Sequence, residues 1–304
     1  MSKNSPFIVR EATEDDLKVV TRLGVLEDWH FNPHDLACAH AFDPSAFFVG
    51  ELNREVISHV NVVKYPGHSA YIGTFIVKKE HRGKGYGKQT WDAAWRSLDH
   101  NCTIALDGAP NMIANYKSLG FHSVWNTSSA VIDLTKATKV LSSITTPPGV
   151  SCVPIRTVDF EKIFEYDKSV FGAPRRILLE KYVYLPGSLG WAAMNEKGVI
   201  LGYNLVRQVI CEAGAKIGLT MAPLYADDDV VARALLKVAA ETYLAIDAVE
   251  GSSFELYYSD GGSYGDHASR LVGELEAKIA YIGQRMYTKG APPGSQIRPL
   301  QVNH

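Results

Sequence analysis

Apolar and polar positions along the first part of the chain switch between two periods. A short apolar run at 7–9 reads as a strand. Thr13 follows, with Asp16 three residues on and Glu14 and Asp15 between them. That pattern predicts a capped helix start with acids at the positive helix end, and Gly24 marks the expected stop. The stretch Glu27-Asp28-Trp29-His30-Phe31-Asn32-Pro33-His34-Asp35 has no period and reads as a structured loop leading into a short helix. Strands are expected at 46–52, 55–65 and 70–78, joined by Asn53-Arg54 and by a turn at Pro66-Gly67. Between 85 and 98, Trp91, Ala94, Trp95 and Leu98 fall on one helix face. A short strand at 103–106, a helix at 111–119 stopped by Gly120, and two closing strands at 121–125 and 129–134 complete the region.

The segment 141–150 is rich in Ser, Thr and Pro, and Pro147-Pro148 breaks any helix, so 138–150 is read as a linker. From Cys152 the order of elements starts again. A strand at 152–156 leads to a helix opened by Asp159, echoing Val9-Arg10 and Thr13. Strands at 191–194, 199–210 and 216–221 follow, then a long helix at 230–246. The pattern predicts an α/β protein of two similar units, 1–137 and 151–290, with a tail at 291–304.

Composition narrows the function. The chain has 304 residues, enough for two domains. At 46% hydrophobic it has the material for a sizeable core. A net charge of −2 argues against nucleic-acid binding through phosphate neutralisation. No run of about 18 apolar residues occurs, so no membrane span is expected. The N-terminus lacks the apolar core of a signal peptide, and the four cysteines are scattered, which fits a reducing, cytoplasmic setting.

The richest segment runs from Tyr71 to Lys88. A strand ends at Phe75-Ile76-Val77, the turn Arg82-Gly83-Lys84-Gly85-Tyr86-Gly87-Lys88 follows, and an amphipathic helix begins. Glycines at a helix N-terminus leave backbone N–H groups uncovered, and these amides with the helix dipole bind phosphate oxygens. A P-loop is excluded, because Gln89 stands where Ser or Thr is needed and Arg82 where the first Gly is needed. A dinucleotide fingerprint is excluded because its third glycine falls on Lys88 or Thr90. Arg82-x-x-Gly85-x-Gly87 instead resembles the acetyl-CoA pyrophosphate loop of the GNAT family of N-acetyltransferases. Asn115-Tyr116-Lys117-Ser118-Leu119-Gly120-Phe121 is similar to that family's Tyr-x-x-x-Gly-Phe ending. Trp29-His30-Phe31-Asn32-Pro33 and Phe171-Gly172-Ala173-Pro174-Arg175 resemble the YitH-type branch, which carries a second GNAT-like domain.

The resemblance implies tandem GNAT-like folds, each a mixed, mostly antiparallel twisted sheet flanked by helices. It implies acetyl-CoA as co-substrate, bound by Phe75, Ile76, Val77, residues 82–88 and Asn115. In the second unit the matching turn reads Ala222-Pro223-Leu224-Tyr225-Ala226-Asp227-Asp228-Asp229, without glycine and with three acids that repel phosphate. One acetyl-CoA site is therefore expected, in the first unit, with the second unit shaping the acceptor pocket.

Acetyl transfer to an amine needs a base and an acid. A Lys-like amine with pKa ~10.4 is neutral about once in 2,500 molecules at pH 7, a deficit of roughly 4–5 kcal/mol. The candidate bases cluster in the loop as Glu27, Asp28, His30 and His34, with Glu27 and His30 foremost. His59 on the third strand is read mainly as a hydrogen-bonded spacer. Tyr116 is the acid that the resemblance implies for the departing thiolate. Trp29, Asn32 and His34 are expected at the acceptor, which is taken to be a small amine or amino acid. Asp167, Arg175 and Arg207 admit two readings: an Arg fork gripping an acceptor carboxylate, or an Asp–Arg pair joining two elements. His30, His34 and Asp35 lack a third ligand set by spacing, so no metal is expected. The rivals are acetylation of protein lysines or N-termini, and a non-catalytic acyl-CoA sensor.

Overall fold

The computed structural model describes residues 6–30, 32–67, 69–209, 218–246, 253–260 and 265–291. The expected tail, Phe31 and Cys211 lie outside the described residues. The first half contains β1 (Ile8–Glu11), α1 (Glu14–Val25), α2 (Asp35–Phe42), β2 (Phe47–Leu52), β3 (Glu55–Tyr65), β4 (Ser69–Val77), α3 (Tyr86–Arg96), β5 (Thr103–Gly108), α4 (Ile113–Ser118), β6 (His122–Asp133) and α5 (Leu134–Leu141). The second contains β7 (Val150–Pro154), α6 (Phe160–Phe171), α7 (Arg176–Tyr184), β8 (Leu189–Asn195), β9 (Ile200–Val209), β10 (Gly218–Ala226), α8 (Asp229–Ile246), β11 (Ser253–Ser259), α9 (Gly265–Glu274) and β12 (Lys278–Tyr287). None of the described helices is long and apolar enough to cross a membrane.

The capped start of α1 forms as the sequence predicts. The Thr13 hydroxyl accepts from the Asp16 amide, and the Asp16 carboxylate accepts from the Thr13 amide at 2.7 Å. The second half opens α6 in the same manner, with Asp159 accepting from the Glu161 amide. Helix α5 runs to Leu141, into the stretch expected as linker, because Leu134, Ala137 and Leu141 bury one face against α8 and its neighbours.

The strands form one sheet in the order β1-β2-β3-β4-β5-β12-β6-β11-β10-β9-β8-β7. Two pairs are parallel, β4 with β5 and β10 with β11; the rest are antiparallel. The two closing strands expected at 121–125 and 129–134 are one strand, β6. The polar run Asn126-Thr127-Ser128-Ser129 looks like a break, yet in the sheet its backbone bonds continue on both sides, to β11 and to β12. Strand β12, from the far end of the chain, lies between β5 and β6. The halves therefore exchange strands.

Helices cover both faces. Trp91 and Ala94 of α3 and Tyr116 of α4 pack on Val60, Val62, Ile72 and Leu106, while Leu17, Val20 and Leu36 pack on Phe47 and Val49 from the opposite side. In the second half α8 and α9 cover one face, and α6 and α7 the other. Full burial of each such side chain contributes roughly 1.5–3 kcal/mol. Cys38 of α2 packs into the α6–α7 core, so the halves also share apolar contacts.

Candidate active site

The turn between β4 and α3 is built for an anion. Gly83 and Gly85 have φ of +73° and +82°, a backbone that side chains with a Cβ resist. Gly85 stands directly before the first turn of α3. Gly87 is needed for another reason: a Cβ there would lie 2.9 Å from Val77 Cγ2, so its absence lets α3 close down on β4. Among the described residues the amides of 83–88 donate to no backbone carbonyl, and they head a helix whose dipole favours negative charge. The side chains hold the turn in place. Arg82 donates to the Val77 carbonyl at 2.8 Å and pairs with Glu27 at 2.7 Å. Lys84 donates to the Glu80 carbonyl at 2.7 Å, Lys88 pairs with Asp92, and the Tyr86 ring lies 4.6 Å from Phe7.

Strand β4 pairs with β5 only from Ser69 to Ile72. Beyond that point it bulges: Gly73 faces Asn61 and Ile76 faces His59, so three steps on β4 match two on β3. Thr74 sits in the bulge at φ +45°, and its carbonyl accepts from His59 Nδ1 at 2.9 Å. Past the bulge, Phe75 rests on Trp91 at 5.3 Å, Ile76 is buried, and the strands have parted. A free strand edge thus runs from the split toward the glycine turn, so the residues present fit an extended, amide-bearing ligand with a phosphate end.

Tyr116 stands beside the end of β5. A Cβ on Gly108 would come within 3.3 Å of its ring, and the ring packs on Trp91 at 5.6 Å. Burial pushes its phenol up to about 12, so it stays protonated and can only offer its hydrogen to a departing sulfur. Full transfer to a thiolate of pKa ~8.5 would be uphill by roughly 5 kcal/mol. Asn115 is exposed, its amide 3.9 Å from Met112 sulfur.

The loop after α1 crosses between the halves. Glu27 sits against Arg82 and Lys79, which makes it a clamp on the turn rather than a free base. Trp29 is half-buried. His30 Nδ1 lies 2.5 Å from the carboxylate of Glu255 on β11. Asn32 is buried and donates to the Gln208 carbonyl at 2.7 Å, while His34 is exposed and its amide donates to Asn32.

Arg175 and Arg207, two buried arginines of the second half, are satisfied internally. Arg207, 1% exposed, pairs with Asp35 at 3.0 Å, donates to the Ala222 carbonyl and lies 4.4 Å over Tyr182. Arg175 makes a fork with Asp167 at 2.7 and 3.0 Å, and Tyr203 donates to the same carboxylate. Of the two readings for Asp167, Arg175 and Arg207, these contacts support the Asp–Arg pair joining two elements over a fork that grips an acceptor carboxylate. Their hydrogen-bonding capacity is used inside the protein, and removing one partner would strand a buried charge. Tyr203, fully buried, belongs to that core as well.

Sequence reasoning missed Glu255, Tyr281 and the pair Asp107–Arg285. Arg285 forks to Asp107 at 2.6 and 2.9 Å across β12 and β5, and Tyr71 donates to that carboxylate. Tyr281 lies over Gly283, where a Cβ would meet its hydroxyl at 2.8 Å and the Gly108 carbonyl at 3.0 Å. For Glu255, Asp107 and Arg285 the available signal was a charge inside a strand-like run, which is costly unless paired.

Family comparison agrees with this geometry. Residues 10–121 match the model of the acetyltransferase (GNAT) family, and residues 163–253 match a second GNAT acetyltransferase domain model. A holothin acyltransferase of Pseudoalteromonas sp. is 27% identical over 253 residues, covering 82% of this chain and 81% of that protein. Among solved structures, a putative acetyltransferase from Pyrococcus horikoshii superposes with a TM-score of 0.70 at 21% identity, over 99% of this chain and 97% of the other. A tandem GNAT protein from the clavulanic acid biosynthesis pathway superposes with a TM-score of 0.64 at 13% identity, over 94% and 99%. With a glycine turn heading α3, a split between β4 and β5, and a GNAT domain in each half, this chain belongs to the GNAT acetyltransferase family and is an N-acyltransferase.

Proposed function

We propose that this protein transfers an acetyl group from acetyl-CoA to the primary amine of a small molecule. The carrying observation is the run of undonated amides at 83–88, set beside the free edge of β4. The amides and helix dipole receive the pyrophosphate, the β4 edge receives the amide-bearing arm, and the thioester lies at the split. His30 accepts a proton from the acceptor ammonium, and the freed nitrogen attacks the thioester carbon. The C–N bond forms as the C–S bond breaks. The nitrogen sheds its second proton, which ends on the departing sulfur, and the Tyr116 hydroxyl hydrogen-bonds that sulfur meanwhile. One acetyl amide, one thiol and one released proton balance the reaction.

The small acceptor is favoured because the loop carrying Trp29 and His30 bridges the two halves, tied to β11 and β9. That bridge restricts access by a protein surface, and the relative named for holothin carries a name for a single acceptor. Unit 1–137 supplies the acetyl-CoA site, and unit 151–290 closes the acceptor side. Cys38, Cys102 and Cys152 are unpaired, which fits work in the cytoplasm.

A thiol-release assay with acetyl-CoA against amino acids, polyamines and aromatic amines tests this. Turnover with one class is expected. Acetyl-CoA binding in calorimetry with no turnover on that panel, but turnover on a peptide, would transfer the assignment to a protein acceptor.

A further inference from the structure

We propose that Glu255, carried by the second half, is the positioning residue that makes His30 the base of acetyl transfer. The proposal rests on the reading above and assigns the second half a part in the chemistry. His30 Nδ1 and Glu255 Oε2 are 2.5 Å apart, although 225 positions separate them in the chain. The imidazole is 35% exposed while the carboxylate is 7% exposed, so one end of the pair is sealed and the other is open to solvent. A carboxylate accepts only, so His30 Nδ1–H donates to it, which leaves Nε2 as the lone-pair nitrogen.

The carboxylate is itself held. Ser129 of β6 donates to its other oxygen, and Tyr257, two residues along β11, bonds it too. Burial alone would raise the Glu255 carboxyl, and the hydrogen bonds from His30 and Ser129 overcome that and keep it ionised. The groups facing His30 are Glu255 from β11 and Asp28 from its own loop. The hydrogen bond to Glu255 raises the imidazole above its ordinary value against partial burial, and Asp28 adds in the same direction.

Position fits the role. Glu27 touches Arg82 of the glycine turn, and three residues later His30 touches the second half. Three residues span at most about 11 Å. The loop therefore strides from the turn beyond β4 to β11, and His30 overhangs the face on which Ser129, Tyr257 and Tyr281 lie in register. Without β11 the first half has the imidazole but not the carboxylate that orients it.

The test reads His30 directly. In the full-length protein the imidazole C2 proton is followed by NMR against pH and assigned with His30→Gln. Glu255→Gln is expected to move that titration to lower pH, and to move the acidic limb of kcat/KM by the same amount, with kcat reduced about tenfold. His30→Gln is expected to abolish the limb and lower kcat/KM about 100-fold, at the lower end of general-base contributions. Acetyl-CoA affinity should be unchanged in both. If the NMR titration moves while the limb of the rate profile stays, or if His30→Gln keeps limb and rate, the proposal is overturned. Should Glu255→Gln fail to fold, the wild-type titration decides it: a His30 midpoint at or below that of a free imidazole overturns the proposal. Wild-type protein that acetylates no amine would overturn the functional reading itself, a failure seen before any variant is made.

Discussion

The two halves present the same strand–turn–helix at corresponding places and finish it in opposite ways. Strand β4 pairs in parallel with β5, bulges at Thr74 and leads into α3; β10 pairs in parallel with β11, shifts register between Met221 and Leu224 and leads into α8. In the first half the helix start is left open by glycines. In the second, Asp228 accepts the Val231 amide at 2.8 Å, Asp229 meets His267 at 2.7 Å, and Tyr166 donates to Asp227. The second helix start supplies its own anion. At the bulge, the Thr74 carbonyl is met by a neutral imidazole, while the Ala222 carbonyl is met by Arg207, itself held by Asp35 of the first half. The second half thus keeps the strand–turn–helix while internal partners occupy the positions that the first half leaves open.

The sharpest way to break the comparison uses acid. His59 is wholly buried, its Nε2 has no partner among the described residues, and burial pushes it down to about 4. A depressed folded value means the unfolded chain takes up a proton that the folded one refuses. Stability is therefore full above about 6.5 and falls as pH drops through 4, by up to about 3 kcal/mol. Arg207 keeps its charge throughout, so the matching position in the second half has no such weakness. Denaturant unfolding at pH 7 and pH 4 should show His59→Gln losing about 3 kcal/mol less than wild type on acidification. Equal losses would assign acid sensitivity elsewhere.

The glycine turn comes next. Gly85→Val forces a β-branched residue into φ +82° with nothing within 4 Å to clash, so the effect is backbone strain rather than packing. A strain of about 1–3 kcal/mol at the anion site should weaken acetyl-CoA binding roughly 10- to 100-fold in calorimetry. Unaltered affinity would mean that the phosphates bind elsewhere.

Much of this contrast was visible in the chain itself. The Gly83–Gly87 turn, the Thr13–Asp16 cap and the acids at 227–229 are local features, governed by φ, by helix ends and by charge, and neighbours in sequence are enough to read them. The partners were not visible. Asp35 with Arg207, His30 with Glu255 and Asp107 with Arg285 meet across the two halves, and β12 enters between β5 and β6. Residue type told that Arg207 needed a partner; only the packing of α2 against the second half told that the partner is Asp35 rather than a ligand. The fold of each half was legible, its strand exchange was not, and the choice between the two readings of Arg207 needed the packing across the halves.

Tyr116 separates the halves chemically, since α9, in the place of α4, carries no tyrosine. Under the proposed mechanism Tyr116→Phe removes a hydrogen bond to a developing thiolate, worth about 1.5–3 kcal/mol to a charged partner. A fall of kcat by at least about tenfold, with acetyl-CoA affinity and melting temperature kept, is expected in steady-state kinetics. An unchanged kcat would make Tyr116 a core residue only, equivalent to its counterparts in α9.

The smallest effect comes from the self-capped helix start. Asp228→Ala removes the side-chain acceptor for the Val231 amide, and loss of such a cap costs about 1 kcal/mol. Differential unfolding should register that loss, while acetyl-CoA affinity and kcat stay at wild-type values, because the turn before α8 has no glycine to open it and Asp227 and Asp229 still repel phosphate. If removing this one carboxylate instead created a second acetyl-CoA equivalent in calorimetry, self-capping alone would have closed the second site. The strained glycine backbone would then be an aid to binding rather than its requirement.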